Sequence, residues 1–145
     1  MKKTLFMETT TKNPTETIGE IQRLLSKHGM KNAMLQFDDM GDVIAMSFTL
    51  KNNPIPYILP AKHEPIMKMA ERGKTGYRKT AEESQARRVA WRQVYRWIES
   101  QLAMVEVQMV EVEEIFLPYM MVDENRTVYQ LVKEKGVDLL TSGEK

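Results

Sequence analysis

The chain has 145 residues, a net charge of +1 and no cysteine. This length suits one domain whose hydrophobic core needs no disulfide or metal, so we expect a single domain over residues 1–145. The lack of cysteine excludes zinc fingers, iron–sulfur sites and thiol catalysis, and it suits a reducing compartment. The apolar run near the N-terminus, Leu5–Met7, is too short for a signal peptide or a membrane span. The sequence therefore predicts a cytoplasmic protein with no membrane partner.

A helix is predicted close to the N-terminus, after a short leading segment. Residues 1–12 are expected to form an extension or an edge strand. Asn13 and Pro14 are typical of a helix start, because Asn is a favoured N-cap and Pro fits the first turn. Gly29 supplies the left-handed residue at which helices often end. Between these signals, apolar residues recur at helical spacing at Ile18, Ile21 and Leu25.

Three segments of period two follow, and they predict a three-stranded antiparallel meander. The connections at residues 38–42 and 51–54 are rich in Asp, Asn, Gly and Pro, as turns are. Pro56 cannot donate a hydrogen bond within a sheet, so we expect the third strand at an edge. The alternating apolar residues are Ala33, Leu35 and Phe37, then Ile44, Met46, Phe48 and Leu50, and then Ile55, Tyr57 and Leu59.

The rest of the chain is predicted to be mainly helical. The longest helix opens with the capping box Thr80–Glu83 and runs to about Val107. The other predicted segments are a short helix from Glu64, a short helix over Glu113–Leu117, a helix from Thr127 to Gly136, and a flexible tail over residues 137–145. The predicted fold class is α+β: a three-stranded antiparallel meander packs on the N-terminal helix and the long helix, with short C-terminal helices.

The long helix carries a candidate nucleic-acid surface. Arg88, Arg92 and Arg96 recur every four residues and therefore rise along one face, with Trp91 and Tyr95 beside them. Arginine matches phosphate with planar donors, and an aromatic ring offers a base a platform for stacking. The loop before the helix adds the cations Lys74, Arg78 and Lys79. The alternative interpretation is an ordinary solvated helix face with the aromatic residues at the edge of the core.

Other groupings give no complete catalytic, cofactor or metal motif. Gly73-Lys74-Thr75 matches only the end of a phosphate-binding loop. Asp38, Asp39 and Asp42 cluster on one predicted hairpin loop, and clustered carboxylates can hold Mg²⁺ or Ca²⁺. Asp beside Gly is also what a turn requires, so metal binding by this loop stays open. We predict no catalytic, cofactor or metal residue, and the sequence leans away from an enzyme.

An acidic and apolar segment precedes the last predicted helix. Four glutamates, Glu106, Glu111, Glu113 and Glu114, precede the apolar run Ile115–Met121, in a chain with twelve methionines. Such a run is more often core than docking surface. As a surface it would bind a second copy of the chain or another protein.

Several segments resemble an uncharacterised family of small bacteriophage and prophage proteins. The resemblance spans roughly residues 15–135 and implies a phage or mobile-element origin, with the host cytoplasm as location. It implies no activity and no site residues. The segments that carry it are Ile21–Leu25 with Gly29, Ala45–Phe48, Tyr57–Ala61, Arg88–Arg92, Trp97–Ala103 and Phe116–Tyr119.

From these observations we expect a non-enzymatic, nucleic-acid-associated accessory protein of a phage or mobile element, with DNA or RNA as partner. The alternative is a protein-interaction module, either a homo-oligomer or an inhibitor of a host protein. In that case a Met-rich, acidic C-terminal surface makes the contact. Salt-dependent binding of an oligonucleotide separates the two hypotheses, because phosphate contacts weaken as salt rises.

Overall fold

A computed structural model describes residues 6–71 and 79–141. The predicted α+β class is confirmed, with one antiparallel sheet and flanking helices in this part of the chain. The elements in chain order are α1 (Pro14–Ser26), β1 (Met30–Phe37), β2 (Val43–Leu50), β3 (Asn53–Ile58), α2 (Glu64–Glu71), α3 (Lys79–Glu106), α4 (Val112–Phe116), a 3₁₀ turn (Leu117–Tyr119), α5 (Val128–Lys135) and α6 (Asp138–Thr141).

The predicted first helix, α1, begins at the expected signal and ends at Ser26, three residues before Gly29. Asn13 has extended backbone angles and Pro14 occupies the first turn, although the Asn13 side chain makes no capping hydrogen bond. Gly29 has a φ of +100°, a region that L side chains rarely adopt. The helix buries Ile18, Ile21 and Leu25 on one side. The predicted apolar side is therefore confirmed, and Gly29 has the expected left-handed backbone at the end of the turn that follows the helix.

The sheet has the order β1-β2-β3, which confirms the meander and places β3 at an edge. The ladder between β1 and β2 is regular from the pair Asn32–Thr49 to the pair Gln36–Ala45, and it is irregular at both ends. The partner of Phe37 is Val43, so the irregularity at that end leaves Ile44 unpaired in the register. The central strand carries most of the sheet's core residues, because it lies under the helices.

Helices α1 and α3 cover one face of the sheet, and the core lies between this face and the two helices. Met46, Phe48 and Leu50 on β2 are at most 2% exposed and pack in one cluster with Ile98 and Leu102 on α3. Burying one such large apolar side chain stabilises the fold by about 1.5–3 kcal/mol. The alternation predicted for β2 is thus confirmed for Met46, Phe48 and Leu50. It is wrong for Ile44, which is 46% exposed while Val43 is buried, because the ladder to β1 is irregular at that end.

An aromatic group closes the core at the C-terminal end of α3. Phe116, which is 0% exposed, is at its centre. Its ring lies 5.1 Å from that of Phe48 and 5.6 Å from that of Trp97, both edge to face. The apolar run Ile115–Met121 therefore contributes Phe116 to the core, in agreement with the interpretation that such a run is more often core than docking surface.

The outer edge of β3 is covered by the chain that follows the 3₁₀ turn. Tyr57 and Met120 form an antiparallel bridge. The Met121 N–H donates to the carbonyl of Pro56 at 2.9 Å. These contacts protect the β3 edge from further strand pairing, and Pro54 and Pro56 on that strand do the same.

Capping boxes begin two of the C-terminal helices: the predicted one at Thr127 opens α5, and a similar one at Glu111 opens α4. At α5 the hydroxyl of Thr127 accepts from the Gln130 N–H at 3.2 Å, and the Gln130 side chain accepts from the Thr127 N–H at 2.9 Å. Glu111 and Glu114 form the equivalent box at α4. Gly136 has a φ of +85° directly after α5. The reciprocal hydrogen bonds satisfy amides that a helix start leaves free.

Two predictions at the chain ends have different outcomes. Of the extension and the edge strand predicted for residues 1–12, the edge strand is not formed by residues 6–9, which form turns. The reason is that this segment lies along α3, where side chains of the helix bind its carbonyl groups. Toward the C-terminus, Asp138–Thr141 forms the short helix α6. The flexibility predicted for residues 137–145 stays a prediction.

Candidate functional site

The predicted basic stripe of α3 faces other parts of the chain over much of its length. On one side α1 packs against the helix. On another side the N-terminal segment crosses it, since Gln85 donates to the carbonyls of Glu8 at 3.0 Å and Thr10 at 2.9 Å. Gln93 likewise donates to the carbonyl of Phe6 at 2.9 Å. The helix is therefore covered on the polar side from which the nucleic-acid surface was expected.

Arg92 is buried against α1 and does not lie at the surface. It is 6% exposed, and its guanidinium Nη1 lies 3.1 Å from Glu20 Oε1. The same guanidinium lies 4.3 Å from the centre of the Tyr95 ring. Desolvation alone would raise the pKa of Glu20, but the hydrogen bond and charge of Arg92 outweigh it, and the pKa is lowered. This pairing contradicts the phosphate-binding role predicted for Arg92.

Trp91 is a core residue. It is 2% exposed and belongs to the same apolar cluster as Val94 and Ile98. A base needs an open ring face for stacking, and a side chain this deeply buried has none to offer. The burial contradicts the stacking role predicted for Trp91, because Trp91 lies on the same side of α3 as Val94, Ile98 and Leu102 and packs in the core with them.

Tyr95 and Arg96 lie at the margin of the helix, and both have partners within the chain. Arg96 Nη1 lies 2.8 Å from Glu99 Oε1, with the side chains 42% and 45% exposed. The Arg96 guanidinium lies 5.6 Å from the Tyr95 ring centre, so two arginines cover this ring. Burial, and then the charges of Glu99 and Glu20, raise the pKa of Tyr95. The Arg96–Glu99 pair keeps partial access to solvent, but its two opposite charges leave little net charge.

Arg88 is half-buried and donates to the Gln85 side chain at 3.3 Å. Among the residues that the structure describes, it forms no ion pair. Lys74 and Arg78, the other predicted cations, lie outside the described residues, as does the side chain of Lys79. The predicted stripe is thus divided: Arg88 and Arg96 reach solvent in part, and Arg92 does not.

The aspartates of the hairpin loop are bound to α3 through Arg87. Arg87 Nη1 lies 2.6 Å from Asp42 Oδ2, and its Nη2 lies 3.3 Å from Asp38 Oδ2. Backbone hydrogen bonds from Asp42 and Met40, together with this cation, lower the pKa of Asp38. Over residues 6–71 and 79–141 no group of acidic or histidine side chains is arranged to hold a metal ion. The arrangement fits an anchor for the hairpin.

A shallow groove of about 1010 Å³ runs along the outer side of α1. Lys12, Arg23 and Lys27 line it, with Tyr95 as one wall and Gly19 in its floor. Lys12 pairs with Glu16 at 3.7 Å. Arg23 and Lys27 form no ion pair with any other described residue. These two exposed cations give the groove a weakly positive character that the sequence analysis did not single out.

The surface that sequence reasoning missed is the outer edge of β1. In this strand six of the eight residues are exposed and none is buried. No strand of the described chain pairs with this edge, since β2 lies on the other side. Met34 is 62% exposed and Phe37 is 59% exposed. The alternation of Ala33, Leu35 and Phe37 had predicted a core face here, but of these three only Leu35 packs against the core, as does Met30 at the start of the strand.

Exposed apolar side chains continue from β1 around the hairpin. Met40 is 86% exposed and Ile44 is 46% exposed. The segment between Lys31 and Asp38 carries no charge and no proline, which are the residues that usually protect an edge strand. That local lack of protection, set against the two prolines of β3, is the signal from which the sequence could have indicated an open edge.

Comparisons of the chain with protein-family models, curated proteins and solved structures found no match. Among the described residues, no helix combines the length and the apolar character that crossing a membrane requires.

Proposed function

We propose that the protein is a non-enzymatic protein-interaction module that docks a protein strand at the open edge of β1. The observation that carries this proposal is the exposure of β1, with six of its eight residues exposed. A free strand edge presents a row of unpaired N–H and C=O groups, which an added strand satisfies. We call the exposed surface of residues 31–44, formed by β1, the turn and the start of β2, the hairpin surface.

The chemistry of the hairpin surface favours a protein partner. Its largest exposed side chains are apolar, namely Met34, Phe37, Met40 and Ile44. A nucleic-acid surface requires cations along its length, and Lys31 is the single cation among residues 31–44. Met34 and Phe37 project from opposite faces of the sheet, so exposed apolar side chains flank the open edge on both sides. An apolar strand edge of this kind suits an added protein strand.

A photo-crosslinking amino acid at Phe37 tests this proposal in the cells that express the protein. Replacement by p-benzoyl-phenylalanine keeps an aromatic side chain at a position that is already 59% exposed. We expect an adduct of higher mass that contains a second protein chain. The same amino acid at Val107, which is 63% exposed in the turn that follows α3, serves as the matched control. Equal or lower adduct formation at Phe37 than at Val107 would refute the proposal.

Nucleic-acid association is a second candidate, now supported by α1 instead of α3. The observation that favours it is the groove lined by Arg23, Lys27 and Tyr95, in which the two cations have no carboxylate partner in the described chain. If this groove binds, reversal of Arg23 and Lys27 to Glu should abolish binding of a mixed-sequence oligonucleotide at about 50 mM salt. Absence of binding by the wild-type protein at that salt would remove this candidate.

The phage or mobile-element origin implied by the resemblance stays a prediction, as does a location in the host cytoplasm. The Met-rich, acidic C-terminal surface is a weaker docking candidate, because Phe116 is buried and Met120 packs against the core. Val107, Met109 and Leu117 remain exposed in that region. Val107 and Leu117 are therefore suitable exposed sites for comparison substitutions.

A further inference from the structure

We infer that the strand docked at β1 is β1 of a second copy of this chain, paired antiparallel about a two-fold axis at Leu35. This inference rests on the proposed function, since it names the partner of the same edge. Two copies joined in this way form one continuous six-stranded sheet. An interface in which the same strand is used on both sides is self-complementary, as two-fold symmetry requires. Each residue of β1 must therefore fit the residue that lies opposite it when the same strand runs in the reverse direction.

Charge at the two ends of the strand supports the antiparallel pairing of identical chains. Lys31 lies at the start of β1 and Asp39 lies just beyond its end, and both are exposed. Within the described chain neither side chain takes part in an ion pair. A two-fold axis at Leu35 brings Lys31, at the irregular start of β1, toward Asp39 in the turn of the second copy, twice per interface. Parallel pairing in register would instead bring Lys31 against Lys31, which is unfavourable.

The side chains between these charges also fit this register. Residues directly opposite each other in an antiparallel pair project from the same face of the sheet. Ala33 then lies opposite Phe37 of the second copy, so that a small residue faces a large one, and Leu35 lies opposite its own copy. On the other face Met34 lies opposite Gln36. No like charges meet, and the two Phe37 rings that are 59% exposed in the single chain become covered.

The architecture leaves room for this second copy. Ala33 and Phe37 lie on the face of the sheet that carries α1 and α3, yet both are exposed, because the helices do not extend over the outer half of β1. The second copy would place its own β1 beside this uncovered strip, with both helical layers on the same side. The Arg87 pairs to Asp38 and Asp42 hold the hairpin in place before the second copy binds.

Single cysteines test the register, since the natural chain has no cysteine. Opposite residues in an antiparallel pair have Cα atoms about 4.5–5.5 Å apart, within the range that a disulfide spans. We expect Leu35→Cys to form a disulfide-linked dimer under mild oxidation, and a mixture of Ala33→Cys and Phe37→Cys to form the mixed dimer. Asn32→Cys is the matched control, because residue 32 and its copy would lie six residues apart along the sheet, about 20 Å.

Sedimentation of the purified full-length chain tests association itself. We expect a concentration-dependent dimer with a dissociation constant on the order of micromolar, as small strand-edge interfaces are weak. Phe37→Asp should weaken dimerisation at least about tenfold, whereas Val107→Asp should leave it unchanged. Lys31→Glu and Asp39→Lys should each weaken it, and the double swap Lys31→Glu with Asp39→Lys should restore it, because the pair is recreated with reversed signs.

Three results would each overturn the inference. The first is a wild-type protein that stays monomeric at about 500 µM, a concentration far above a micromolar dissociation constant. The others are a dimer that Phe37→Asp does not weaken and cross-linking of Asn32→Cys that is as fast as that of Leu35→Cys. The photo-crosslinking adduct at Phe37 separates this failure from failure of the proposed function. An adduct with a different protein, formed by a chain that is monomeric when purified, refutes the second copy and keeps the docking function. Absence of any adduct at Phe37 refutes both.

Discussion

Arg92 on α3 and Glu20 on α1 form a largely buried ion pair, with 3.1 Å between Nη1 and Oε1 and with the Arg92 side chain 8% exposed. The pair joins two helices that are adjacent in the fold and distant in the chain. It converts the centre of a predicted phosphate-binding stripe into a structural contact. Because Tyr95 lies under the same guanidinium at 4.3 Å, the aromatic residue predicted to stack on a base instead supports the arginine.

We expect Glu20→Gln to lower the free energy of unfolding by about 1–3 kcal/mol, since it leaves the buried charge of Arg92 without a counter-ion. Urea unfolding followed by circular dichroism measures the change. Glu99→Gln is the matched control: it breaks the Arg96 pair, whose side chains are 42% and 45% exposed, and should cost less than about 1 kcal/mol. Equal costs for the two variants would show that burial of Arg92 is unimportant.

Stability should depend on pH through Glu20 and Asp38. The pKa of each carboxyl is lowered in the folded protein, so each contributes stability that is present above its ordinary value, 4.5 for Glu20 and 3.8 for Asp38, and lost as pH falls through the lowered value. Urea unfolding from about pH 7 to about pH 3 should show this loss below 4.5. The loss should be smaller for Glu20→Gln, and an unchanged pH dependence in that variant would contradict the assignment.

The fluorescence of Trp91 should be that of a buried side chain that does not contact nucleic acid. In a Trp97→Phe variant, Trp91 is the single tryptophan, because the chain has two. We expect blue-shifted emission that neither acrylamide nor an oligonucleotide quenches, since the side chain is 2% exposed. A Trp91→Phe variant, which keeps Trp97, shows the response of the more accessible ring. Quenching of Trp91 by the oligonucleotide would restore its role as a stacking residue.

The hairpin loop should bind no divalent cation. Arg87 already lies 2.6 Å from Asp42 Oδ2, and a metal ion at these carboxylates would have to displace or tolerate that positive charge. We expect no heat on calorimetric titration with Mg²⁺, Mn²⁺ or Ca²⁺. Arg87→Met should instead speed amide hydrogen exchange at residues 38–43, while Arg96→Met leaves it unchanged. Strong heat with any of these metals would reopen the metal interpretation.

The apolar run before α5 should behave as core at one position and as surface at the next. Phe116→Ala should lower the free energy of unfolding by about 3–5 kcal/mol, because Phe116 is 0% exposed at the centre of the aromatic group. Leu117→Ala should cost less than about 1 kcal/mol, since Leu117 is 49% exposed. Chemical denaturation measures both. A loss of protein binding in the Leu117 variant, without loss of stability, would favour the C-terminal docking surface over the hairpin surface.

Most helix and strand positions follow from short-range signals that act over a few residues. Pro14 begins α1, the Thr127–Gln130 box opens α5, and the alternation along β2 matches its buried and exposed faces from Ala45 to Leu50. The candidate site was less predictable. The spacing of Arg88, Arg92 and Arg96 correctly placed them along one side of a helix, but periodicity alone contains no information about which neighbouring element covers that side.

The sequence by itself determined the α+β class, the meander and the long helix, because caps, turn residues and apolar periodicity are local properties of the chain. Only the tertiary structure decided which polar groups stay in water and which strand edge stays open. Glu20 reaches Arg92 across 72 positions, and Met121 covers β3 while β1 has no such cover in the described chain. Such long-range contacts depend on how the elements pack. The packing arrangement is set by many small interaction energies across the whole core, and no short segment of sequence contains them.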